Sequence, residues 1–170
     1  RDLVRSRGLG DVYKRQEENT TDRSALFSIL AAIEELDAPA VYPVHPRCKS
    51  AVSEIIAKEG LKNTRVIEPV GYLESLWLTN NAKQVITDSG GLQREAFFAE
   101  VKCTTILDFE VWPETMVDNR NLLARPSKES ILKAMSLPQV IGKEYHPFGD
   151  GRASVRIADA VMNMGEVFHS

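Results

Sequence analysis

Short apolar segments alternate with helical patterns along this 170-residue chain, and no other feature restricts the fold as strongly. Apolar side chains recur every three or four residues over 22–37, which predicts a first amphipathic helix. Five short strands are predicted at Ala40–Val44, Thr64–Ile67, Gln84–Thr87, Thr104–Leu107 and Asn121–Ala124. Further helices are predicted at Cys48–Glu59, Gly71–Asn81, Gly91–Glu100, Lys128–Met135 and 153–167, with a short one starting at Pro113. Short buried strands separated by helices indicate a Rossmann-like α/β fold, in which a parallel sheet carries helices on both faces.

The segment after the third predicted strand is a candidate phosphate site. Ser89, Gly90 and Gly91 form the turn between that strand and the next helix. Glycines let backbone N–H groups approach a ligand closely, and a helix N-terminus offers free N–H donors and a partial positive charge. These features together favour a bound phosphate. Glu95 lies one turn into the helix, within reach of a sugar hydroxyl beside that phosphate.

Two other interpretations of this turn remain open at the sequence level. It can be a plain connector in which Asp88 or Ser89 only caps the helix. Asp88-Ser89-Gly90-Gly91 also occurs in trypsin-like serine proteases, where the serine is the nucleophile. That mechanism needs a β-barrel with His and Asp partners upstream, and the alternation of strands and helices argues against it.

Ligands of parallel α/β sheets bind beyond the carboxyl ends of the strands, so side chains that follow the other strands are candidates for the same cleft. Six of them form the predicted substrate cleft: His45, Arg47, Pro69, Tyr72, Trp112 and Glu114. Each also has a structural explanation, since a histidine can cap a backbone group and aromatic residues can simply pack against the sheet. Their convergence with the glycine turn on one rim favours a ligand site.

Composition excludes several classes of function. The formal net charge of −3 gives no indication of a nucleic-acid partner. No apolar run approaches the ~20 residues that span a bilayer, so no membrane partner is expected. Cys48 and Cys103 lack metal-type spacing and suit reduced thiols in a cytoplasmic protein. The carboxylates do not pair in a spacing typical of acid–base catalysis or of a metal site.

The first sixteen residues differ in character from the rest. They contain five Lys or Arg and two Asp residues and have little helical or strand periodicity. They resemble translated sequencing-adaptor read-through, and a native basic tail is the alternative. We therefore predict a non-native adaptor-derived segment at 1–16 and a nucleotide-binding domain at 17–170.

From Glu17 to about Val167 the chain resembles the C-terminal half of the UDP-N-acetylglucosamine 2-epimerases. The matching pieces keep the family's order and spacing: Glu18-Asn19-Thr20, Tyr42–Arg47, Ile67–Leu73, Thr87–Ala96, Trp112–Thr115 and Gly149–Ser154. The Tyr42–Arg47 and Trp112 segments look closer to the branch that acts on diacetamido-uronic acid nucleotides. The resemblance implies the second of two facing Rossmann-like domains, in a glycosyltransferase-B-type fold whose N-terminal domain is missing here.

The resemblance also implies a reaction and a ligand. In the family, UDP is eliminated from the sugar as the C2 proton is removed, and it is added back after a proton returns to the opposite face. No metal or nicotinamide cofactor is required. The second domain holds UDP or a UDP-amino-sugar, which assigns Ser89, Gly90 and Gly91 to the diphosphate and Glu95 to the ribose. A homodimer of the full-length enzyme remains open.

The chain departs from the family pattern at catalytic positions. The family's His and Arg before Glu18-Asn19 are replaced by Arg15 and Gln16, so no catalytic residue is intact. Leu107 stands near a family arginine, and Ser75 stands near the aromatic residue that stacks on uracil. The family's catalytic carboxylates belong to the absent first domain. These departures predict a fragment that is inactive alone.

Two other functions are compatible with the pattern. One is a complete nucleotide-sugar-binding module without chemistry, and the other is half of a two-domain glycosyltransferase. The latter shares the glycine turn but does not predict the Tyr42–Arg47 and Trp112–Thr115 segments together. The family's last helix crosses back to the first domain, so we expect the helix at Ala153–Val167 to be loosely packed here.

Overall fold

A computed structural model of the chain describes residues 22–140 and 145–167, with side chains to residue 163. Its strands are β1 (Ala40–Pro43), β2 (Thr64–Ile67), β3 (Gln84–Thr87), β4 (Lys102–Ile106) and β5 (Asn121–Ala124). Its helices are α1 (Arg23–Glu34), α2 (Pro46–Glu59), α3 (Tyr72–Asn80), α4 (Gly90–Phe98), α5 (Lys128–Ser136) and α6 (Ala153–Val167). A 3₁₀ segment spans Pro113–Asn119. The predicted order of elements is confirmed, with boundaries that move by a few residues.

All paired strands run parallel, as predicted, and they divide between two sheets. β1 pairs with β2, and β4 lies between β3 and β5. Periodicity identifies strands but not their hydrogen-bonding partners, so the sequence did not reveal this division. β1 and β2 precede the crossover through α3, and the other three strands follow it.

Helix α1 connects the cores of the two sheets. Its Leu26 and Leu30 are buried in one apolar cluster with Val44 of the β1–α2 connection and Val52 of α2. Its Ala32 is buried in a second cluster that contains residues of β4, β5 and α5. Because α1 packs on both α2 and α5, it joins the apolar clusters beside the two sheets.

Local signals account for the ends of several helices. α1 begins at N-cap Asp22, whose carboxylate accepts a hydrogen bond from the Ser24 N–H at 2.8 Å. Gly60 ends α2 with a φ of 67°, a left-handed conformation that glycine adopts without strain. Pro113 opens the 3₁₀ segment, as its fixed φ predicts.

Helices α3 and α6 expose several large apolar side chains. On α3, Leu73 is 77% exposed and Trp77 is 66% exposed, so these apolar side chains are largely turned to solvent. On α6, every residue from 153 to 163 is exposed, Ile157 and Val161 among them. The expected loose packing of α6 is therefore confirmed.

The two cysteines are buried, and neither forms a disulfide bond. Burial raises the pKa of the Cys103 thiol to about 12, so this sulfur stays protonated and acts as a packing group. Among the described helices, none combines the length and the apolar character needed to cross a membrane.

Candidate functional site

The turn between β3 and α4 leaves the Ser89 hydroxyl free for a ligand. Ser89 is the N-cap residue of α4 by its backbone conformation, but its side chain makes no capping hydrogen bond. Its own N–H donates to the Thr87 hydroxyl at 3.0 Å, which fixes the orientation of the turn. A Cβ on Gly91 would lie 3.5 Å from the Ser89 Oγ, so this hydroxyl lies over the start of the helix. The simple capping interpretation of Ser89 is therefore not realised through its side chain.

The first turn of α4 presents backbone donors. Gln93 is the first residue whose N–H bonds back to the turn, to the Ser89 carbonyl at 3.0 Å. The N–H groups of Gly90, Gly91 and Leu92 precede it and have no carbonyl one turn earlier within the helix. These donors and the helix dipole create a local positive potential suited to an anion.

Trp112 closes one side of the turn. A Cβ on Gly90 would lie 3.2 Å from the Trp112 Nε1 and 3.0 Å from Val111 Cγ1. Position 90 therefore has room only for glycine unless the loop after β4 moves. The sequence placed Trp112 in the cleft but did not show this contact.

A buried polar pair fixes the Trp112 backbone against α4. The Gln93 side-chain amide donates to the Thr115 hydroxyl at 2.7 Å. That hydroxyl donates to the Trp112 carbonyl at 2.7 Å, and the Thr115 N–H donates to the same carbonyl at 3.0 Å. Gln93 is 1% exposed and Thr115 is fully buried, so the pair is shielded from water.

The Trp112 ring is also held by its neighbours. The Arg94 guanidinium lies 4.3 Å from the ring centroid, in a cation–π contact. Phe148 meets the ring edge-on at 6.1 Å and also contacts Phe97 and Phe98 of α4. Neither the Gln93–Thr115 pair nor the Phe148 contact was predictable from local patterns, because both join segments far apart in the chain.

The other predicted cleft residues lie on the two strand-end loops of the first sheet and on the 3₁₀ segment. His45 is the N-cap of α2, and its Nδ1 accepts from the Arg47 N–H at 3.3 Å. Both side chains are exposed, as is Pro69, and Tyr72 opens α3 with 67% of its surface exposed. Glu114 is half-buried, with one carboxylate oxygen shielded and without a hydrogen-bond partner. A direct contact joins Trp112 to the glycine turn.

The ends of β1 and β3 nevertheless lie close enough to interact electrostatically. Burial, and then the charges of Cys48 and Asp88, raise the pKa of Tyr42 to about 12. Asp88 directly precedes Ser89, so the two strand-end regions share one side of the molecule. Glu95, half-buried on α4 one turn after Gly91, lies at the same end of the second sheet.

Neither metal chemistry nor the protease interpretation gains support from this geometry. The described residues contain no group of three or more His, Cys, Asp or Glu side chains able to hold a metal ion. None of the described histidines contacts Ser89, and parallel sheets replace the β-barrel that the protease mechanism requires. The site therefore offers hydrogen-bond donors suited to an anion.

Asp88 supplies a test of the electrostatics next to the turn. Burial raises the pKa of its carboxyl, so the native state holds this proton to a higher pH than the unfolded chain does. The free energy of unfolding should therefore fall as the pH rises from about 4 through the raised pKa. Asp88→Asn removes this titration. The free energy of unfolding of the variant minus that of the wild type should therefore increase over the same pH interval. Urea unfolding of both proteins from pH 4 to 8 measures the difference, and a constant difference would contradict the assignment.

Comparisons with known proteins agree on one family. The model of the family described as UDP-N-acetylglucosamine 2-epimerase matches residues 12–162. A UDP-N-acetylglucosamine 2-epimerase homolog of Methanococcus maripaludis is 38% identical over 151 residues, which are 86% of this chain and 42% of that protein. The UDP-2,3-diacetamido-2,3-dideoxy-D-glucuronate 2-epimerase of Pseudomonas aeruginosa is 39% identical over 148 residues, or 84% of this chain and 41% of that protein. The chain thus spans about two fifths of the length of these relatives.

Solved structures give the same result. The UDP-GlcNAc 2-epimerase of Methanocaldococcus jannaschii is 35% identical, with a TM-score of 0.71 over 86% of this chain and 43% of that chain. A complex of that archaeal enzyme with UDP-GlcNAc and UDP superimposes with a TM-score of 0.70 at 31% identity, over 91% of this chain and 49% of that chain. The described fold is therefore similar to about half of each of these enzymes.

Proposed function

The chain belongs to the UDP-N-acetylglucosamine 2-epimerase family, and we propose that it is the nucleotide-binding half of a UDP-sugar 2-epimerase. The observation that carries this proposal is the β3–α4 turn, where the Ser89 hydroxyl and the first N–H groups of α4 face the same space. A related enzyme with the same fold has been solved with UDP-GlcNAc and UDP. The ligand proposed for this chain is UDP or a UDP-amino-sugar.

Each part of the turn has a separate role in this proposal. Ser89, Gly90 and Gly91 bind the diphosphate through one hydroxyl and the backbone N–H groups. Glu95, one turn further along α4, accepts hydrogen bonds from the ribose hydroxyls. Donors that point at the diphosphate before it leaves need no rearrangement as negative charge develops, which favours elimination.

The complete reaction needs groups outside this chain. The sugar loses its C2 proton while the C1–O bond to UDP breaks, and UDP adds back after C2 is reprotonated on the opposite face. Arg15 and Gln16 stand where the family has its His-Arg pair, and the carboxylates that move the proton belong to the first domain. We therefore expect the chain to bind UDP without epimerising a UDP-sugar.

The exposed apolar faces support a partner domain. Ile157 and Val161 lie one turn apart on α6, with 64% and 62% of their surfaces exposed. Such a stripe on a helix suits packing against another structural element, and we assign it to the first domain of the full-length enzyme. Two buried cysteines that form no disulfide bond suit a cytoplasmic location. The homodimer stays a prediction. The choice between the two epimerase branches also stays a prediction, since relatives of both branches are almost equally similar to this chain.

The role of Ser89 can be tested by calorimetric titration with UDP. Ser89→Ala should weaken binding by about five- to tenfold, because it removes a hydroxyl donor to a charged acceptor. Ser53→Ala, an exposed change on α2, is the matched control and should leave the affinity unchanged. Equal affinities of the two variants for UDP would contradict the assignment of Ser89.

A further inference from the structure

The indole N–H of Trp112 lies beside the donors of the glycine turn. The Nε1 atom is the part of the ring that faces Gly90, at 3.2 Å from the position a Cβ would occupy there. Within the described residues, the Nε1 has no hydrogen-bond acceptor, and the side chain is only half-buried. Indole nitrogens are donors only, so this edge of the ring adds an N–H to the same space as the N–H groups of α4.

Three independent contacts fix the ring in that position. The Gln93–Thr115 pair holds the Trp112 carbonyl from inside the fold. Arg94 covers one face of the ring, and Phe148 contacts its edge. Gln93 and Arg94 are both on α4, so the helix that presents the backbone donors also determines where the indole N–H points. Arg94 also places a positive charge near the turn.

From this arrangement we propose that Trp112 is a diphosphate ligand, donating its Nε1–H to a phosphate oxygen held at the Ser89–Gly91 turn. Gln93 and Thr115 are positioning residues that act through the Trp112 backbone. The inference rests on the proposed function, because it names a further donor for the same ligand. It assigns part of the phosphate recognition to the loop after β4, in addition to the glycine turn.

The decisive variant is Trp112→Phe, which keeps an aromatic ring and removes the N–H. Its affinity for UDP should fall about tenfold, the range expected for a donor to a charged acceptor. Its affinity for uridine, which has no phosphate, should stay the same in ligand-observed NMR titrations. Trp77→Phe is the control, since Trp77 is exposed on α3, and it should bind both ligands like the wild type.

A second variant separates positioning from folding. Thr115→Val keeps the shape of the side chain and removes the hydroxyl that joins Gln93 to the Trp112 carbonyl. It should weaken UDP binding about threefold without affecting uridine, and it should move the Trp112 indole resonance in ¹⁵N–¹H spectra. A loss of the same size for UDP and uridine in either variant would indicate a purely structural role and would overturn the inference.

The outcomes also separate this inference from the proposed function. If the wild-type chain binds UDP and Trp112→Phe binds it equally well, Trp112 is not a phosphate ligand while the proposed function stands. If the wild-type chain binds no UDP, the proposed function itself fails. If Trp112→Phe does not fold, the comparison of UDP and uridine binding by Thr115→Val still decides whether Trp112 is a phosphate ligand or a purely structural residue.

Discussion

Replacing Gly90 with alanine is expected to lower the affinity for UDP by at least about tenfold, or ~1.4 kcal/mol. The new Cβ would lie 3.0 Å from Val111 Cγ1 and 3.2 Å from the Trp112 Nε1, closer than side chains normally pack. The loop after β4 must therefore move, and the indole would leave the turn. The backbone of Gly90 does not have a positive φ, so alanine suits the helix itself and its effect comes from this clash.

Gly91→Ala is the matched control for the predicted movement of the loop after β4. Its Cβ would meet only the Ser89 Oγ, at an ordinary 3.5 Å. Both substitutions replace glycine with alanine in the first turn of α4, which favours the helix by up to ~1 kcal/mol. Only Gly90→Ala should shift the fluorescence emission of Trp112, measured in a Trp77→Phe background. Identical spectra for the two variants would show that the loop after β4 does not depend on the glycine at position 90.

Removing the Glu95 carboxylate should have an effect of similar or greater size. In Glu95→Ala, hydrogen bonds from the ribose hydroxyls to a charged acceptor are lost, which corresponds to about 1.5–3 kcal/mol or a ten- to hundredfold weaker UDP complex. Calorimetry with UDP and with 2′-deoxy-UDP measures the contribution of the 2′-hydroxyl. The wild type should prefer UDP, and the variant should lose much of that preference.

A double-mutant cycle makes this test specific. The cycle compares the preference for UDP over 2′-deoxy-UDP in the wild type with the same preference in Glu95→Ala. The difference between these two free energies measures the interaction of Glu95 with the 2′-hydroxyl, independent of general effects on folding. Glu129→Ala, an exposed change on α5, is the control and should keep the wild-type preference. If Glu95→Ala discriminates between UDP and 2′-deoxy-UDP as strongly as the wild type, Glu95 does not contact that hydroxyl.

Local sequence signals predicted most of the elements and the position of the turn. The periodic apolar residues of α1, the glycine that ends α2 and the proline that opens the 3₁₀ segment each act within a few residues of the chain. The Ser89–Gly91 turn was predictable for the same reason, because its backbone donors follow from a strand, two glycines and a helix in direct succession. The resemblance then supplied the identity of the ligand.

Contacts between distant segments were not predictable. The Gln93–Thr115 bond joins residues 22 positions apart, and nothing in the local pattern distinguishes this glutamine from a surface residue of α4. The division of five parallel strands between two sheets depends in the same way on which strands pair. The apolar pattern of α3 also gave no indication that Leu73 and Trp77 face outward, since periodicity identifies a face and not the surface it meets.

The most direct test of the central claim is a titration of the ¹⁵N-labelled chain with UDP, followed by ¹⁵N–¹H NMR. Binding at the glycine turn predicts saturable shifts that are largest for the amides of Gly90, Gly91 and Leu92, with the Trp112 indole resonance moving in parallel. A groove between α1 and α2, lined by Arg23, Phe27 and Lys58 among others, lies on elements that do not carry the turn. Shifts centred on that groove, or no shifts at saturating UDP, would contradict the assignment of this chain as the UDP-binding half of an epimerase.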